Sequence, residues 1–129
     1  MTIELTMLVW SMVLGLIHVA VAATLSTARR GLRWNAGNRD GEVAALTGAA
    51  ARAARASANF QETFPFFAAA VLAVLVAQRA DAHTALGAQL YFWARLAYLP
   101  VYVVGIPYLR TVVWAVSLVG LLMVLGGLL

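Results

Sequence analysis

Two polar stripes interrupt an otherwise oily sequence. Arg52, Arg55, Asn59 and Glu62 stand at offsets 0, 3, 7 and 10, which on a helix turning 100° per residue puts them within an arc of about 80°. Tyr91, Arg95, Tyr98 and Tyr102 follow at offsets 0, 4, 7 and 11 and fit within about 60°. Guanidinium groups pair with carboxylates through parallel, planar hydrogen bonds, and a carboxylate such as Glu62 suits an ammonium group. An arginine in mid-span is too costly to face lipid, so Arg95 should point at the protein interior, an interface or a ligand. Together the stripes describe a site for an anionic molecule with one cationic end, in surroundings that leave room for an apolar second substrate dissolved in the bilayer.

Blander readings stand beside that one. Arg52 and Arg55 would also serve as snorkelling side chains at a helix end, and Glu62 with Arg95 as an ion pair tying two helices together. Tyr98 and Tyr102 would also serve as interfacial aromatics. His18 and His83 are single histidines without companions at metal-ligand spacing, so no metal site is expected. The serines lack a paired base.

The elements that must position these stripes follow from composition. In 129 residues, enough for one domain, 64% are hydrophobic and 11% charged, against about half and about a quarter in an ordinary soluble domain. A water-soluble fold of this size cannot enclose so much apolar surface, and disorder is excluded by the same figures. Cysteine is absent, which excludes disulfides, thiolate metal sites and a cysteine nucleophile; thiol chemistry here would need a borrowed thiol. The net charge of +4 sits wholly between Arg29 and Asn59, where six arginines are opposed by Asp40 and Glu42. No aromatic residues alternate with those arginines as a base-stacking platform requires, so nucleic acid is not the expected partner. A cytoplasmic loop beside anionic lipid fits better.

Cutting the sequence at its charges predicts an all-α, integral membrane four-helix bundle in one domain spanning 1–129. The expected helices cover about 5–28, 43–78, 83–104 and 109–129, with a cytoplasmic loop at about 29–42. The first, third and fourth are near the roughly 20 residues that cross a hydrocarbon core, and the second reads as one long helix whose first turns project from the membrane while Phe64 to Gln78 lie inside it. Glu4, with no basic residue before the first span, carries the wrong charge for a signal peptide, so that span is read as a mature helix. The alanine-rich run from Glu42 favours helix, and Pro65 predicts a kink because it frees the carbonyl of Gln61. Arginines in the first and third loops place those loops in the cytoplasm and both termini on the other side of what is expected to be the cell inner membrane.

The run Arg52-x-x-Arg55-Ala56-x-x-Asn59-x-x-Glu62-x-x-Pro65-Phe66, with Tyr91 and Arg95 on the third span, resembles the membrane-associated proteins in eicosanoid and glutathione metabolism, the MAPEG family, in a bacterial-type member. The resemblance extends over essentially the whole chain. It implies a homotrimer holding glutathione between subunits: Arg52, Arg55, Asn59 and Glu62 grip the tripeptide, Tyr91 and Tyr98 assist, and Arg95 stabilises the thiolate. Some mammalian members carry a further arginine where this chain has Ala58. The implied activity is glutathione transfer to apolar electrophiles, with peroxidase action on lipid hydroperoxides. A neighbouring cation favours the ionised form of a thiol, and one to two pKa units would need roughly 1.4 to 2.8 kcal/mol. The alternative within the family is a non-catalytic membrane protein that binds lipid or a protein partner. An ion or proton path on Glu62 and Arg95 is a third reading, weakened by the lack of a relay chain.

Overall fold

The computed structural model describes residues 1–129 as five helices, four of them long: α1 Ile3–Arg30, α2 Leu32–Ala36, α3 Gly48–Val76, α4 Ala82–Val104 and α5 Pro107–Gly126. Sequence signals set most of their ends. Thr2 caps α1 by accepting the Leu5 N–H at 3.1 Å, while Arg29 and Arg30 occupy its last turn, where cations favour the helix dipole. Asp81 and Thr84 cap α4 reciprocally, each side chain taking the other's backbone N–H at 2.9 Å. Pro107 opens α5 at a position where its missing N–H costs nothing.

The largest departure from the expected boundaries is at the start of α3; the other ends differ by no more than three residues. The alanine-rich run does not become helical at 43; α3 starts at Gly48. Residues 42–45 are all exposed, so no packed face adds to their propensity, and Gly48 takes φ +60°, which breaks the run. The expected loop is also more ordered than its composition suggests. It contains α2, which Asn35 ties back to α1 by donating to Thr27 Oγ1 at 2.8 Å, and Arg39 clasps Asn35 through three hydrogen bonds. Pro65 and Pro100 both lie inside continuous helices.

Helix α1 buries a single face of Glu4, Leu8, Ser11, Leu14 and His18, at the three- and four-residue spacing of one helical side. Its opposite side, with Leu16 71% exposed, is apolar as well. The other long helices repeat this pattern: Trp93, Val104, Leu122 and Val76 all project outward. Such a surface is a poor match to water and a good one to lipid. Helices α1, α3 and α5 are long and apolar enough to cross a membrane. The protein is an integral membrane protein; α4 has a similar length but carries Arg95 and three tyrosines.

Helix α4 packs most extensively on α5. The two cross at Gly87 and Gly120, where a Cβ on Gly120 would stand 2.5 Å from the Gly87 carbonyl oxygen. Only glycine permits that approach, as at many membrane helix crossings. Two buried clusters fill the interior. One joins Leu8, Phe67, Val71, Val74, Tyr91 and Val124, and the other joins Leu14, Ala56, Phe60, Phe92, Tyr98 and Tyr102. The second cluster forms the floor beneath the polar residues.

Candidate functional site

The two stripes meet along the α3–α4 seam, and they meet as rungs. Arg52 donates its Nε–H to the carbonyl of Val103 at 2.8 Å, at the end of α4 where free carbonyls attract a cation. Gly105, at φ +94°, turns the chain there, and a Cβ at this position would crowd Arg52 at 3.3 Å. Arg55 reaches the Tyr102 hydroxyl at 3.3 Å. Asn59 Oδ1 accepts from Arg95 at 2.8 Å.

Arg95 is completely buried. Its second terminal nitrogen donates to Thr63 Oγ1 at 2.9 Å, and Thr63 shares a 3.1 Å hydrogen bond with the Tyr91 hydroxyl. The guanidinium carbon lies 4.9 Å from the Tyr98 ring centre, 5.9 Å from that of Tyr91 and 6.0 Å from that of Phe60. Ring faces and neutral oxygens thus surround this cation, and no carboxylate pairs with it. The ion pair to Glu62 is not formed: Glu62 is exposed, while the terminal nitrogens of Arg95 are spent on Asn59 and Thr63. The structure therefore brings Arg52, Arg55, Asn59, Tyr91, Arg95 and Tyr98 together and leaves Glu62 outward on α3.

At one end of this seam lies a polar cavity of about 260 Å³, lined by Asn59, Tyr98, Tyr102, Arg110, Thr111 and Trp114. It is open to α3, α4 and α5. Arg110 is half-buried, its guanidinium 4.7 Å from the Tyr102 ring centre, so Tyr102 is flanked by Arg110 on one side and Arg55, at 6.0 Å, on another. With one lining cation and no carboxylate, the cavity suits an anion. Larger grooves elsewhere are apolar; one of about 360 Å³ between α1 and α4 is walled by Trp10, Leu14, Ile17, Phe92, Trp93 and others of the same kind.

Sequence reasoning missed Thr63, Arg110, Thr111 and Trp114 as site residues. Thr63 stands four residues after Asn59 and so shares its face, a signal that was available. Arg110, Thr111 and Trp114 begin α5, and nothing in their spacing says which stripe they will face. Two other polar residues of α1 are also interior. Glu4, 3% exposed, accepts from Thr84 Oγ1 at 2.8 Å. His18 stacks on Phe60 with ring centres 4.9 Å apart.

Compared with known proteins, residues 7–129 match the model of the MAPEG family. No curated protein and no solved structure matches the chain.

Proposed function

The chain belongs to the MAPEG family, and from that premise we propose that it is a membrane-bound glutathione-dependent transferase acting on apolar electrophiles, with peroxidase action when the electrophile is a lipid hydroperoxide. The observation that carries the reading is the cavity at the end of the α3–α4 seam, where Arg110 stands beside Tyr98, Tyr102 and Asn59 with no acidic neighbour in the lining.

In this reading the four long helices all cross the membrane as a four-helix bundle, and three copies assemble with glutathione between them. Exposed Arg55 and Glu62 on α3 are the polar groups a neighbouring copy would cover, since neither is tolerable against lipid. Arg52 and Arg55 hold the carboxylates of glutathione, and Glu62 its ammonium group. Both cations have spare terminal N–H groups, because each uses only Nε within the chain. The first and third loops face the cytoplasm, in a cell inner membrane.

Arg110 is the cation proposed to meet the sulfur, because Arg95 is sealed behind Asn59 and Tyr98. The thiol releases its proton to water, and the thiolate beside Arg110 attacks the electrophilic carbon and expels a leaving group. With a hydroperoxide, the sulfur attacks the terminal oxygen and breaks the O–O bond. The alcohol leaves after taking a proton, and a second glutathione converts the sulfenic acid to disulfide and water. Tyr98 and Tyr102, which line the cavity, carry the hydroxyls that would donate to a leaving group.

The complete enclosure of Arg95 favours the second reading, a non-catalytic protein of the same fold that binds lipid or a partner. Arg110→Ala distinguishes them. A transferase should lose roughly 100-fold in kcat/KM with its fold and oligomer intact, as expected when one stabilising charge near the reacting atom is removed. Turnover of an electrophilic probe by the purified protein in detergent reads this out. Absence of glutathione-dependent turnover in the unsubstituted protein would leave the second reading.

A further inference from the structure

The buried arginine and the cavity share a wall. Asn59 and Tyr98 both line the cavity, and both rest on Arg95 from behind, Asn59 through a 2.8 Å hydrogen bond and Tyr98 through its ring face at 4.9 Å. Arginine has only donors. Whatever faces its terminal nitrogen must be an acceptor, so Asn59 is obliged to turn Oδ1 toward Arg95. The two ends of an amide diverge, and the Nδ2 hydrogens are therefore left for the other side.

We infer that Arg95 is a positioning residue which fixes the Asn59 amide with its N–H donors toward the cavity, so that this wall selects an anionic group. Thr63 and Tyr91 complete the device by holding the second terminal nitrogen of Arg95, through contacts of 2.9 and 3.1 Å in series. The guanidinium is thereby pinned at two points and cannot swing to let the amide flip. Its charge, buried without a carboxylate, adds to that of Arg110 across the cavity, and in a low-dielectric interior this potential reaches further than it would in water. The inference rests on the glutathione reading for the identity of the anion but not for its sign.

Asn59→Asp separates positioning from mere packing. The introduced carboxylate still accepts from Arg95, so the seam should hold, but its second oxygen turns an acceptor toward the cavity in place of two donors. The full-length protein in lipid nanodiscs would be titrated with three probes: glutathione, the anionic thiol 2-mercaptoethanesulfonate and the cationic thiol 2-mercaptoethylamine. The unsubstituted protein should bind the two anionic probes in preference to the cationic one. Asn59→Asp should keep its melting temperature and bind both anions about tenfold or more weakly, the scale of losing a charge-assisted hydrogen bond. Arg95→Met should weaken them by a smaller factor, and Arg95→Lys should recover most of that loss.

Unchanged anion affinity in Asn59→Asp would overturn the inference while leaving glutathione binding intact. Binding of 2-mercaptoethanesulfonate with this dependence on Asn59, but no binding of glutathione, would sustain the inference and remove the glutathione reading. If neither anion binds, both fall. Should Asn59→Asp fail to accumulate, Arg95→Met and Arg95→Lys carry the same test, and equal affinities in the two would overturn the proposal.

Discussion

Helix α4 has two very different neighbours. Against α5 it presents Gly87, and the two backbones come so close that a single added carbon would strike a carbonyl oxygen. Against α3 it presents Arg95, and the helices are joined by long side chains, aromatic faces and polar rungs at Arg52, Arg55, Asn59 and Thr63. At the glycine crossing the first contact gains dispersion energy from close backbone approach, and the groove that opens further along it is lined almost wholly by apolar side chains. The second is looser, carries an unpaired buried charge, and opens into a cavity. One helix thus carries a close-packed glycine crossing on one side and a polar seam that ends in a cavity on the other.

The largest effect is expected at the tight crossing. Gly120→Leu should cost several kcal/mol, at or above the roughly 1 to 3 kcal/mol typical of overpacking, because backbone rather than a flexible side chain stands in the way. Loss of folded yield and a large fall in the detergent melting temperature would show it; a variant as stable as the parent would mean that the crossing does not carry the fold. Arg95→Met sharpens the other side. Removing the buried charge relieves its desolvation while leaving Asn59 and Thr63 short of a donor, and these terms offset, so stability should move by less than about 1 kcal/mol. A melting temperature falling as far as in Gly120→Leu would make the seam a structural element first.

The smallest effect is expected from acid. The Thr84 backbone N–H donates to Asp81 and holds that carboxyl below its usual range. A group lowered on folding contributes stability that is complete above its unfolded value, about 4 for an aspartate, and that disappears as pH falls through the lowered folded value. The melting temperature should therefore decline below about pH 4 less steeply in Asp81→Ala than in the parent. Because this side chain is fully exposed, the difference should be slight, and equal acid slopes would show that the cap does not matter.

Much of this was legible in the sequence because it depends on periodicity. The spacing of Arg52, Arg55 and Asn59 put them on one face, and the structure finds all three bonded across to α4. Glu62, on the same face by angle, turns outward, and the slot beside Arg95 is taken by Thr63 from one turn further along Asn59's own row. The first residues of the alanine run, 43–45, had the propensity for helix and nothing to pack against, whereas Ala50, Ala53 and Ala56 further along are buried and helical. Glu4, read only for its charge ahead of the first span, and His18, read as a lone histidine, are both buried; a single polar residue carries no phase of its own to show which way it faces.

The sequence alone determined that the chain lives in lipid, that it is all helical, and that any thiol must come from outside. These follow from composition and from the fixed 100° turn of a helix, which need no knowledge of neighbours. Tertiary structure decided which arginine is sealed and which borders the cavity. Arg95 and Arg110 are alike in chemistry, and only the packing of α3, α4 and α5 encloses one among rings and leaves the other half open, because burial belongs to the assembled helices and to no single one of them.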